Sequence, residues 1–117
     1  MNANQWNDEN LIETLTEIVE NMQQGWDEND IGKFSNDFSD EMRAEITLEN
    51  FTEQRDRLYP VLGNHVSLSC LALHKNPTEL VLMLTMVCEK RDAPVLLVYN
   101  FKENDDSFTI VGASIHA

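Results

Sequence analysis

His65 and Cys88 are the two side chains in this sequence best suited to covalent chemistry. A thiolate beside an imidazole is a nucleophile when a third group orients the ring. If the chain turns back at Asn76-Pro77, the hairpin register puts His65 opposite Cys88. No third group stands out, and a one-residue slip of register separates the pair. A structural cysteine and an edge histidine account for the same residues, so no catalytic residue is assigned. The same register puts Cys70 opposite Met83, too far along the hairpin from Cys88 for a disulfide.

Metal chemistry is poorly served. His65, His74, Cys70 and Cys88 do not converge, and C-x-x-C and H-x-x-x-H are absent. The segment from Asp27 to Gly32 imitates the start of a calcium loop, but Ile31 and Phe38 occupy two positions that need oxygen ligands. Helix capping explains its acidic residues better. Gly-rich phosphate loops, G-x-S-x-G and H-E-x-x-H are also missing, which argues against nucleotide hydrolysis, serine hydrolases and the common zinc proteases. No metal and no cofactor is expected.

A binding pocket has better candidates. Trp26, Phe34, Phe38, Tyr59 and Tyr99 could line one, with Asp30, His65, Tyr99 and His116 as the polar groups that could reach into it. The same aromatics would serve equally well as plain core.

These residues must be positioned by two unlike halves. Residues 1–56 carry 15 Asp/Glu against 3 Lys/Arg, and residues 57–117 carry 6 against 5, so nearly all of the net charge of −13 sits in the first half. A field of that sign repels phosphate backbones and anionic lipid, so neither nucleic acid nor a membrane surface is an expected partner. No apolar run approaches the roughly 20 residues that span a bilayer, and the polar N-terminus lacks a secretory pattern. A cytoplasmic protein of one domain, residues 1–117, is expected, with residues 1–7 frayed.

The first half repeats its apolar residues at helical spacing. Leu11, Ile12, Leu15, Ile18, Val19 and Met22 form one stripe, capped at Asn7 or Asp8, with Gly25 ending or weakening the helix. A second helix is predicted from Asp30 through Phe38, and a third from Thr47, stopping or kinking at Pro60 before Gly63. Strands are predicted over 65–74, 79–90, 94–102 and 107–116, joined by short turns at 75–78, 91–93 and 103–106. The expected fold is therefore α+β: three N-terminal helices packed on a curved four-stranded antiparallel meander.

The two middle strands are apolar on both faces, and one face must find cover beyond the helices. A homodimer through the sheet supplies it, with Leu82, Leu84, Met86, Val87, Leu97 and Tyr99 as candidate interface positions. A sheet curved over its own core is the alternative.

Several segments carry a resemblance. Residues 25–34, from Gly25-Trp26-Asp27 to Gly32-Lys33-Phe34, look like a helix-to-helix corner leading toward Phe38-Ser39-Asp40-Glu41-Met42. Ile46-Thr47-Leu48-Glu49-Asn50-Phe51, Leu62-Gly63 and Ile110-Val111-Gly112-Ala113-Ser114-Ile115 look like a third helix, its exit and a last strand. Over about residues 11–116 the pattern resembles the nuclear-transport-factor-2-like (cystatin-like α+β cone) superfamily, in particular its small bacterial members of unknown function. The resemblance implies a cone-shaped fold. It does not extend to the Tyr and Asp of ketosteroid isomerases or the acid and base of polyketide cyclases, so it implies no catalysis.

The expected function is that of a non-enzymatic homodimer binding a small apolar ligand in the cone or a protein on the acidic helical face. An isomerase or cyclase using an Asp or His in the cone is the second reading, and a structural adaptor with a filled cone the third. They differ in the pocket: two or more converging polar groups for the enzyme, one for the binder, none for the adaptor.

Overall fold

The computed structural model of the protein describes residues 7–105 and 107–116. The fraying expected of residues 1–6, and Asp106 of the third turn, fall outside the described residues. Four helices, α1 (Asp8–Asp27), α2 (Ile31–Phe34), α3 (Asp40–Glu45) and α4 (Leu48–Leu62), precede four strands, β1 (His65–Lys75), β2 (Leu80–Cys88), β3 (Arg91–Asn104) and β4 (Ser107–His116). The strands pair antiparallel in chain order. The protein is thus α+β, helices followed by a four-stranded meander.

α1 begins where Asn7 accepts from Asn10 N at 2.7 Å. Its apolar stripe is buried against the sheet, with Leu11, Leu15 and Val19 fully inaccessible. The helix runs past Gly25 and ends on a Schellman pattern: Asp30 N donates to Gly25 O at 2.8 Å and Asn29 N to Trp26 O at 3.2 Å. Asn29 takes the left-handed conformation, φ 58°. Gly25 is required for another reason, since a Cβ there would stand 2.3 Å from Phe34 N. It lets α2 lie directly on α1.

The second predicted helix is two. Asp30 caps α2, accepting from Lys33 N at 3.1 Å, but the helix stops at Phe34. Ser35, Asn36 and Asp37 favour local side-chain bonds over helix propagation, and Ser35 Oγ donates to Ile31 O at 2.8 Å. Phe38 instead forms a parallel bridge to Ile110 of β4. Ser39 then caps α3, accepting from Met42 N at 3.2 Å. The described residues form four helices rather than three because Ser39-Asp40-Glu41 is a start signal, not the tail of a longer helix.

α4 opens with a reciprocal capping box between Thr47 and Asn50. Pro60 does not stop it. The carbonyl four residues earlier belongs to exposed Asp56, which water can satisfy, and the helix closes where Gly63 N donates to Tyr59 O at 2.8 Å. Gly63 has φ 73° and ψ −158°, a conformation open essentially to glycine alone.

In the sheet, His65 does pair with Cys88. Cys70, however, faces Leu84 rather than Met83, because an irregularity between His65 and Ser67 shifts the register by one, and a second shift follows between Cys70 and Ala72. The second turn is also earlier than expected: Cys88 pairs with Arg91 across Glu89-Lys90. Each of the three ladders contains such an irregularity, and bulges bend and twist the strands that carry them.

Candidate functional site

Alternation along β2 and β3 decides which sheet face meets the helices. Leu80, Leu82, Leu84, Met86 and Cys88 of β2, and Val95, Leu97, Tyr99 and Phe101 of β3, are all buried on the helical side. Five positions expected at a dimer interface, Leu82, Leu84, Met86, Leu97 and Tyr99, are therefore core residues. Any contact between two sheets must use the alternate set, to which Val87 belongs at 38% exposure. Its neighbours on that outer face include Val81, Met83, Leu96 and Val98.

Between helices and sheet lies a cavity of about 180 Å³. Its buried floor comprises Met22, Gln23 and Trp26 of α1, Phe34, Phe38, Leu62, and Met86, Leu97 and Tyr99 of the sheet. Its rim is Met42, Ile46, Gln54, Leu58 and the end of β4, Ala113–Ile115. Aromatic packing fixes the shape: Trp26 meets Phe51 edge-on at 5.9 Å, and Phe34 lies 4.9 Å from Phe51 and 5.4 Å from Phe38 between ring centres.

One polar contact is built into the wall. Gln23 Nε2 donates to Tyr99 Oη at 2.9 Å. Burial raises the Tyr99 phenol far above its ordinary value, against the opposing effect of the Gln23 hydrogen bond, so Tyr99 is a neutral donor and acceptor at any working pH. Among the described residues lining the cavity there is no Asp, Glu, His, Lys, Arg or Cys. The Tyr99 phenol, held neutral, is the one titratable group among them.

Of the residues proposed from sequence, Trp26, Phe34, Phe38 and Tyr99 come together in this cavity. The other four lie elsewhere. Asp30 is an exposed helix cap. Tyr59 donates to Asn64 Oδ1 at 2.7 Å and lies under the Arg55 guanidinium, 4.0 Å from ring centre to charge. His116 is exposed, opposite Leu96 on the outer side of β3. Gln23 was not among the sequence candidates, yet it continues the fully buried series Leu11, Leu15, Val19 at the next four-residue step. A polar residue at a stripe position is the signal that marks it.

His65 forms a separate polar centre. Its Nδ1 is 2.6 Å from Asp27 Oδ2 and its Nε2 is 2.5 Å from Glu20 Oε1, while its backbone N–H donates to Asp27 Oδ1 at 3.1 Å. Only 7% of the side chain is exposed. Burial disfavours the charged ring, but the hydrogen bonds and charges of Glu20 and Asp27 outweigh it and raise the pKa above 6.5. Arg55 completes the corner, donating from Nε to Trp26 O at 2.8 Å and from Nη2 to Asp27 O at 2.9 Å. Both cations thus sit at the negative end of α1.

This centre is a clamp rather than a catalytic dyad. Both ring nitrogens of His65 are occupied by carboxylates, leaving none to accept a proton from a thiol. Burial and the Asp27 charge raise the Cys88 thiol, outweighing Arg91, which keeps it protonated. The calcium-like segment is likewise committed: Asp27 to His65, Asp30 to its cap, and Glu28 to Lys33 at 3.0 Å.

A larger groove, about 810 Å³, lies between α3 and β4. Asp40, Glu41, Glu45 and Glu79 line it beside one cation, Lys102. Most of these side chains are exposed and remain hydrated, so nothing in the groove is pre-organised for a ligand. No helix among the described residues is long and apolar enough to cross a membrane, which says nothing of strands.

The helix-then-meander arrangement is one found among solved structures. The chain is similar to the structure of Bdellovibrio bacteriovorus Bd1075, with a TM-score of 0.52 and 12% identity over 86% of this chain. It spans 39% of the length of that chain. At this identity the likeness shows the fold alone. No protein-family model matches the sequence, and no curated protein matches it.

Proposed function

We propose that this chain is a non-enzymatic homodimeric domain of the nuclear-transport-factor-2-like cone class that binds a small apolar ligand between its helices and sheet. One observation carries the reading: the cavity is lined mainly by aromatic and aliphatic side chains, and the polar pair in its buried floor is Gln23–Tyr99. An apolar pocket with few, well-placed polar groups is what small-molecule recognition requires. An isomerase or cyclase would need a base in the cavity, and its lining supplies none.

The dimer half of the proposal is supported by the outer sheet face, where Val81, Met83, Val87, Leu96 and Val98 form an apolar surface that the chain's helices do not cover. Two unpaired thiols, Cys70 and Cys88, fit a reducing, cytoplasmic setting. Native mass spectrometry of the purified protein tests both halves. A dimer carrying extra small-molecule mass is the expected species. A dimer of bare polypeptide mass would favour an adaptor with a filled cone, and a bare monomer would contradict the proposal on both counts.

A further inference from the structure

We infer that the cavity selects small uncharged molecules carrying a hydrogen-bond-accepting oxygen, which takes the hydroxyl proton of Tyr99. The inference rests on the cavity reading above and specifies what that cavity admits.

Tyr99 is 2% exposed and Gln23 6%. Gln23 Nε2 donates to the phenol oxygen at 2.9 Å, so the hydroxyl's own proton is the donor left over. Among the described residues no acceptor meets it. Buried donors are rarely left unpaired, because water's hydrogen bond has been given up and nothing replaces it. A carbonyl, ether or hydroxyl oxygen of a ligand would satisfy that proton.

Charged ligands are excluded from two directions. An ion entering the cavity would lose its hydration with no countercharge in the lining. Anions also meet the net negative charge of α3, which supplies Met42 to the rim and carries Asp40, Glu41 and Glu45 against Arg43. Size narrows the class further. The volume of about 180 Å³ is a little larger than an apolar cavity of roughly 150 Å³ that holds benzene. A single ring with one short oxygen-bearing substituent fits.

Three probes matched in size separate the possibilities: acetophenone, its isostere 2-phenylpropene, and benzoate. Their affinities are measured by calorimetry for the wild type and for Tyr99→Phe. The expected result is that Tyr99→Phe weakens acetophenone by about tenfold while leaving 2-phenylpropene no weaker, and that benzoate binds neither protein. A substitution that affects acetophenone and 2-phenylpropene equally, or benzoate binding as well as acetophenone, would overturn the inference while leaving the cavity reading intact. Failure of all three probes to bind the wild type would overturn both.

If Tyr99→Phe does not fold, the wild type alone decides. Isotope-edited infrared spectroscopy of bound acetophenone reads the carbonyl stretch directly. A stretch shifted below its value in hexane is expected from the phenol hydrogen bond, and an unshifted stretch would refute it.

Discussion

The imidazole of His65 stands 2.6 Å from the Asp27 carboxylate through Nδ1, at the point where β1 begins and α1 ends. Glu20 takes the opposite nitrogen at 2.5 Å. A protonated ring donates to both, whereas a neutral ring donates to one and leaves two carboxylates sharing a site with one cation fewer. The groups facing it are Glu20 and Asp27 of α1, the Cys88 thiol across the ladder, and Arg55 of α4 through the α1 carbonyls.

The sign of the pH dependence follows. The folded pKa of His65 is raised above 6.5, so the clamp's contribution is complete below the unfolded value and is lost as pH rises through the folded one. Thermal stability should therefore fall as pH is raised above about 6.5. His65→Gln should lose about 2 kcal/mol at the acidic end and show a flatter profile. A wild-type melting temperature that rises across this window, or a variant with the same slope, would remove the clamp from the account.

Gly25 offers a test of how α2 is seated. A Cβ at 2.3 Å from Phe34 N cannot be absorbed by a side-chain rotation, because the obstruction is backbone. Gly25→Ala should therefore destabilise by about 3 kcal/mol, although alanine favours helices elsewhere. Chemical denaturation measures this. Unchanged or increased stability would mean that α1 and α2 do not approach as described.

The two sheet faces make opposite predictions for one substitution type. Leu84 is fully buried against the helices, so Leu84→Lys should yield unfolded or insoluble protein. Val87 is 38% exposed on the outer face, so Val87→Lys should leave the fold intact and shift the proposed dimer to monomer. Circular dichroism with sedimentation velocity separates the outcomes. A Val87→Lys protein that remains dimeric would place the interface elsewhere.

What the sequence made legible, and what it did not, divides along chemical lines. The Thr47 cap and the meander follow from signals local to a turn or a helix start, whereas the His65–Cys88 pairing is reached only through two irregularities in the β1–β2 ladder. Trp26, Phe34, Phe38 and Tyr99 were legible as pocket candidates because large aromatics are scarce and must be buried. The carboxylates of the His65 clamp lie 45 and 38 residues away in sequence, and nothing local distinguishes Glu20 from its neighbours on a highly acidic helix. Which sheet face meets the helices was equally illegible, because both faces of β2 and β3 are apolar. The irregularity between His65 and Ser67 moved the expected partner of Cys70 by one position, and periodicity carries no warning of a bulge.

The claim that the protein works through its internal cavity is tested most directly by methyl-detected NMR. Acetophenone would be titrated into protein labelled at methionine and leucine methyls. The account predicts saturable shifts concentrated at Met22, Met86 and Leu97, abolished when Leu97→Trp fills the space. Shifts confined to Met83 and Leu96 on the outer sheet face, or no saturable shifts, would contradict it.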